Sequence, residues 1–173
     1  FITTFEISAD GTTITENTTL EHDTSSNAWN SFVQVDSDTY ALAYYGPAAD
    51  GFIKTFTISA DGNTITQEQV LEHDLGQGSD NSLIKIDATT FALAYTGTDG
   101  DGFITTFTIS ADGSTITEVA SLEHETDAAS FHSIVNVIDD TFAVAHTGPD
   151  LDGFITTFTI SQTVVETTET VAA

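Results

Sequence analysis

Arginine and cysteine are absent from this 173-residue chain, and Lys54 and Lys85 are its only lysines, set against 27 acidic side chains for a formal charge of -25. A surface so poor in cations excludes nucleic acid and anionic lipid as partners, because both are held by positive charge. Without cysteine there are no disulfides and no thiol chemistry, which leaves the compartment open. No apolar run is long enough to span a membrane, so insertion is not expected. No signal peptide is visible and residue 1 is Phe, so the chain reads as processed or as an excerpt of something longer. A nucleophile elbow, a phosphate loop, a Cys/His metal motif and an EF-hand are all missing.

What is present is a strand-forming vocabulary rich in Phe, Ile, Val and Thr. It is organised by repetition. Phe1, Phe52, Phe103 and Phe154 each open the string Phe-Ile-Thr/Lys-Thr-Phe at a constant spacing of 51 residues. Within one period, the alternation from Ser82 to Ile86 predicts a first strand and Phe91-Ala92-Leu93-Ala94-Tyr95 a second, with large residues on one face and alanines on the other. Phe103 to Ser110 and Ile116 to Glu123 predict the third and fourth, joined by a tight turn at Ala111-Asp112-Gly113. Four short strands with short connections favour an antiparallel meander.

A period of this length with four strands is that of a β-propeller blade, since β-solenoid coils use shorter periods. The alanine face agrees, because stacked blades need small residues where the next sheet's large ones enter. The expected fold is therefore all-β, a β-propeller array of three to three and a half blades, with a ring or stack completed by other chains or by further sequence. The expected division is a half blade over 1–28 (third and fourth strands), blades over 29–79 and 80–130, and a last blade over 131–173 with a divergent C-terminal strand. Unfinished ends expose strand edges, which makes a homo-oligomer the expected state.

The order of strands and turns resembles WD40-type propeller blades over nearly the whole chain. The carriers are Leu-Glu-His at 20–22, 71–73 and 122–124, and Asp-Gly at 50–51, 101–102 and 152–153. The resemblance implies structural hydrogen-bonded pairs, His22 with Asp50, His73 with Asp101 and His124 with Asp152. Phe56, Phe107 and Phe158 stand where the family carries Trp, and Glu stands where it has Gly before the His. A second echo, of the Asp-box hairpin, lies in Ser-Ala-Asp-Gly at 8–11, 59–62 and 110–113; it lacks that motif's spacing residue and aromatic, and reads as a turn signal.

Recurrence once per blade gives His22, His73 and His124 a structural role rather than a catalytic one. His132 and His146, which replace Asn and Tyr of the other copies, carry no signal. Asp99 with Asp101, and Asp150 with Asp152, form oxygen-rich turns of a kind calcium accepts, although Asp-Gly is also common turn chemistry; calcium is a possible ligand and no cofactor is assigned. No carboxylate pair is singled out for glycoside hydrolysis. Catalytic, cofactor-binding and metal residues are accordingly all expected to be none. The loops that vary between copies, Thr24 to Asn30, Leu75 to Asp80 and Thr126 to Phe131, share one face of a propeller with the loop after the second strand. Trp29, Tyr45 and Phe131 therefore decorate one acidic rim or cap the core.

The expected function is a non-enzymatic extracellular or cell-surface structural module that self-assembles into a ring or filament. The alternative is a ligand-binding propeller for a glycan or protein, with calcium as a possible stabiliser. A hydrolase on the same scaffold comes third. Asn17-Thr18-Thr19, the one glycosylation sequon, points weakly to the exterior.

Overall fold

The computed structural model describes residues 1–25 and 27–161, and they form thirteen strands in four antiparallel sheets. The first sheet pairs β1 (Ile2–Ile7) with β2 (Ile14–Leu20). A four-stranded meander follows from β3 (Ala28–Gln34), β4 (Thr39–Tyr45), β5 (Gly51–Ile58) and β6 (Ile65–Asp74). The next period repeats it with β7 (Ser79–Lys85), β8 (Thr90–Thr96), β9 (Gly102–Ile109) and β10 (Ile116–Glu125). The last sheet holds β11 (Ser130–Ile138), β12 (Thr141–Thr147) and β13 (Gly153–Thr159). A divergent strand expected after it falls on residues outside those described.

These sheets are propeller blades. The innermost strands β3, β7 and β11 lie side by side across successive blades, and contact thins toward the outer strands β2, β6 and β10. The alternation read from the sequence explains the packing. Ala41 and Ala43, fully buried, receive Phe91, Leu93 and Tyr95 of the following blade. Ala92 and Ala94 in turn receive Ile134 and Val144. On the other side, Ile2 of the first sheet packs on Leu42, Tyr44 and Phe56. Each small face is a socket for the next blade's large face, and burial of those aliphatic and aromatic groups supplies the main stabilising term.

Hydrogen bonds fix the rotation between blades. Ser31 Oγ accepts the Leu83 backbone N–H at 2.9 Å, and one period later Ser82 Oγ accepts that of Ile134 at 3.1 Å. Farther out, Thr4 and Thr55 hydroxyls donate to the Gly62 and Gly113 carbonyls of the next blade's hairpin, both at 2.6 Å. That hairpin is built on the same plan three times. In the first copy Asp10 accepts from Ser8 Oγ, Thr12 N and Thr12 Oγ1 at 2.7 to 3.1 Å, and Ser8 Oγ accepts from Thr13 N. Gly11, Gly62 and Gly113 take the left-handed φ of about 70° the turn requires. The Ser-Ala-Asp-Gly string is thus a closed side-chain network as well as a turn.

The two lysines are spent inside this framework. Lys54 Nζ, in the seam between the first sheet and the first full blade, donates to the His22 carbonyl at 2.5 Å and lies 3.4 Å from Asp23 Oδ2, which also accepts from Tyr44 Oη at 2.9 Å. Lys85 Nζ donates to the Val35 carbonyl at 2.5 Å.

Socket packing makes a specific prediction. Ala94→Leu inserts a bulky group into a filled interface and is expected to destabilise the protein by about 1–3 kcal/mol in urea denaturation. The repeat-equivalent Ala145, which is exposed on the last blade, is expected to tolerate the same change within about 0.5 kcal/mol.

Candidate functional site

One register detail recurs at the start of every inner strand and generates the site. Ala28 pairs with Tyr45 but Ser31 with Ala43; Ser79 pairs with Thr96 but Ser82 with Ala94; Ser130 pairs with Thr147 but Ser133 with Ala145. Each inner strand therefore carries one extra residue, a β-bulge, and the bulge re-aims its side chains. Trp29, Asp80 and Phe131 occupy the same position of these bulges with φ of 49°, 52° and 55°. Left-handed backbone is costly for bulky residues, by about 1–3 kcal/mol, and such strain persists where surrounding structure imposes it. Glycine would relieve it, and this chain does use glycine at its left-handed hairpin positions. Here it retains two large aromatics and an acid.

Trp29, Asn30, Asp80, Asn81, Phe131 and His132 line one cleft of ≈ 330 Å³ at the axial end of the three blades. Trp29 and Phe131 are exposed by 47% and 73%, and Trp29 is braced edge-on by Tyr45 at 5.0 Å. Asp80 stands between the two aromatics in blade order, 3.3 Å from Thr96 Oγ1, whose hydroxyl donates to the Ala129 carbonyl at 2.8 Å; among the described residues no cation pairs with it. Asn81 spends its amide hydrogens on the Trp29 carbonyl at 3.2 Å and the Gly78 carbonyl at 2.8 Å, which fixes the orientation of the amide. Its Oδ1 is buried without a donor. A larger hollow of ≈ 720 Å³, between the first sheet and the hairpin Ser59–Asn63, is bridged by the Thr4 to Gly62 bond and belongs to the blade seam.

Behind the cleft lies a cluster that the sequence did not signal. The bulge at Glu123/Glu125 turns His124 toward the next blade, where its ring centroid lies 5.5 Å from His132 and 4.8 Å from His146, themselves stacked at 5.8 Å. In the preceding seam the same place holds His73 against Tyr95 and Phe107, and in the first, His22 against Tyr44 and Phe56. Substituting His for Asn at 132 and for Tyr at 146 makes the last seam different from the others. Burial holds His22, His73 and His124 down at about 4 and His132 at about 3. For His124 and His132 the neighbouring imidazoles depress them further. All four are neutral at physiological pH.

These contacts correct the pairs implied by the WD40 resemblance. His22, His73 and His124 have both ring nitrogens buried without a hydrogen-bond partner, so none is bonded to Asp50, Asp101 or Asp152. Bulges at His73 and His124 swing those imidazoles into the next blade, as His22, just past the end of β2, also packs on the next blade, and Asp50 and Asp101 meet a glutamate of their own sheet instead. Glu72 is held above the ordinary carboxyl range by its hydrogen bond with Asp50, and Glu123 by burial and by Asp101. Asp50, Asp101 and Asp152 close the short turns Pro47–Ala49, Thr98–Gly100 and Pro149–Leu151 through their backbone N–H groups. Among the described residues no three His, Asp or Glu side chains are grouped to hold a metal ion, the Asp99/Asp101 and Asp150/Asp152 turns included.

The histidines make stability depend on pH. Between their ordinary 6.5 and their folded values the unfolded chain binds protons that the folded chain refuses, so stability is full above pH 6.5 and falls as the pH drops. The expected loss between about pH 6.5 and 5 is on the order of 2 kcal/mol for each fully buried histidine, before discounting for residual solvent. Glu72 and Glu123 act in the opposite direction nearer the carboxyl range, whereas Asp10, Asp61 and Asp112, held at about 2 by hydrogen bonds from their own turns, act in the same direction as the histidines at lower pH. Denaturation at about 0.5 M salt, which screens the long-range repulsion, is expected to show this decline, and His73→Phe to remove about a quarter of it.

No protein-family model matches the sequence, and no curated protein matches it. Solved structures do. A mutant of NanB sialidase from Streptococcus pneumoniae superposes with a TM-score of 0.62 at 13% identity, covering 84% of this chain and 24% of that one. NanB with Optactamide gives the same figures, and the NanB complex with 2-[(3-chlorobenzyl)ammonio]ethanesulfonate gives 0.60 at 12% identity with the same coverage. The chain spans about a quarter of the length of these structures. The expectation of a non-enzymatic module is overturned at the level of the scaffold: the structures that share it are enzymes, so the fold gives no ground for denying catalysis. What the likeness establishes is the architecture, an all-β array of β-propeller blades.

Proposed function

We propose that this chain is part of a ligand-binding β-propeller whose ligand seats on the axial cleft formed by the three inner-strand bulges. The observation that carries the reading is the retention of Trp29 and Phe131, solvent-exposed and in left-handed backbone, on either side of Asp80. Exposed aromatic faces on a rigid scaffold bind flat apolar surfaces such as the C–H face of a sugar ring, and the polar groups around them set orientation. A glycan is the first ligand class to test, with a protein ligand as the competing outcome. The fold neighbours, being sialidases, support a ligand-taking scaffold ahead of a self-assembling one.

A hydrolase is the second reading, favoured by those same neighbours. The described lining of the cleft supplies a single carboxylate, Asp80, where paired-acid glycoside hydrolysis needs two, so a second acid would have to come from beyond these blades. Tyr44, hydrogen-bonded to Asp23, does not serve as a nucleophile: it is buried, and burial and the carboxylate push its hydroxyl well above the ordinary tyrosine range. An extracellular or surface setting suits the charge of -25, which salt and divalent cations outside the cell would screen. No helix among the described residues is long and apolar enough to cross a membrane.

Glycan-array binding followed by calorimetry tests the main reading. Trp29→Ala with Phe131→Ala is expected to weaken binding at least about tenfold, a loss of about 1.4 kcal/mol. Phe131→Gly is expected to leave stability within about 1 kcal/mol of the parent, because relief of backbone strain offsets the lost contacts of an exposed ring. No glycan bound by the parent protein, or binding untouched by the double change, would defeat the reading.

A further inference from the structure

Resting on that reading, we infer that the axial cleft selects a saccharide bearing a protonated amine, an amino sugar, over a neutral or acidic one. The polarity of the lining carries the inference. Its one charged group is an acceptor left without a committed donor: Thr96 Oγ1, 3.3 Å from the Asp80 carboxylate, gives its hydrogen to the Ala129 carbonyl at 2.8 Å, the Asn81 amide has committed its N–H groups to two carbonyls, and the exposed Asn30 amide can donate or accept. Asn81 Oδ1, buried without a donor, adds a second unpartnered acceptor on the same bulge. An ammonium group is the complement, since it carries three donors and no acceptor.

The aromatics point the same way. Trp29 and Phe131 occupy repeat-equivalent bulge positions on the blades flanking Asp80, so a cation drawn to the carboxylate lies within a frame of negative ring faces. The rest of the chain leaves that charge uncompensated. Both lysines are engaged elsewhere, Lys54 in the seam with His22 and Asp23 and Lys85 on the Val35 carbonyl. Burial keeps His132, the one basic side chain in the lining, neutral. With -25 in total and no arginine, the surrounding field draws cations toward the cleft and repels carboxylated sugars. A sugar ring also uses what a bare cation would not, the exposed ring faces.

The test compares a glucosamine hexamer, its N-acetylated counterpart, a galacturonate hexamer and a lysine tetramer by calorimetry on the full chain, at about pH 6 and two salt concentrations. The glucosamine hexamer is expected to bind at least about tenfold more tightly than the acetylated one, and the galacturonate hexamer not to bind. Asp80→Asn is expected to bring the ratio of the two glucosamine forms to within about threefold while the acetylated hexamer keeps its affinity; Asp36→Asn, on the opposite rim, is expected to change neither. Equal binding of the two forms overturns the selection for an amine and leaves the ligand-binding reading standing, whereas no saccharide binding at all removes both. A loss on Asp36→Asn as large as on Asp80→Asn would show diffuse attraction to the whole surface and overturn the site. Lysine-tetramer binding as tight as that of glucosamine, with the same dependence on Asp80, would overturn the saccharide assignment in favour of a basic peptide.

Discussion

The structure depends on the fit between the small face of one blade and the large face of the next. A four-stranded sheet cannot bury both of its faces by itself, and the alternation of alanine with phenylalanine, leucine and tyrosine along the second strand solves this by making every blade socket and plug at once. Ala41, Ala43, Ala92 and Ala94 are all fully buried for that reason, and Ala145, facing no further described blade, is exposed. Because the fit repeats without insertion every 51 residues, successive blades are related by nearly the same rotation, and equivalent residues return to equivalent places around the axis. The cleft rests on this return.

Repetition by itself would give each blade the same surface, so chemical asymmetry has to come from substitution at fixed geometry. The inner-strand bulge provides the fixed geometry, and Trp29, Asp80 and Phe131 provide the substitution. The last seam departs most, with three imidazoles where the others carry one imidazole with an asparagine and a tyrosine. The two departures meet at His132, which belongs to both the cleft and the cluster. The cleft floor and the acid-sensitive seam are therefore one piece of structure.

Much of the fold was legible because it is written in periods: the recurrence of Phe-Ile-Thr/Lys-Thr-Phe, the two-residue alternation of each strand and the Asp-Gly turns each follow from local chemistry. The exposed aromatics Trp29 and Phe131 were legible as a rim for the same reason. The bulges were not, since one extra residue in a strand is visible only against its partner's register, and they decide which side chains enter the cleft. The same blindness misdirected the histidines. Leu-Glu-His resembles a hydrogen-bonding motif, but bulges at His73 and His124 turn those rings out of their own sheets into the next blade and leave Glu72 and Glu123 to meet Asp50 and Asp101. His132 and His146 read as isolated drift because the strands that bring them to His124 are not neighbours in sequence. Whether a propeller is an enzyme is not a property of strand pattern at all, which is why the non-enzymatic expectation had no physical footing.

The serine bonds between inner strands have a consequence for solubility. The strand nearest the axis of a blade is an edge strand, with one row of peptide groups unpaired, and such rows invite a stray chain to add on and seed amyloid-like stacking. Ser31 and Ser82 occupy the N–H groups of Leu83 and Ile134, so the hydroxyl of one blade blunts the edge of the next at the point where the strands stand closest. The inner edges of these blades are thereby left unreceptive to β-addition at those amides.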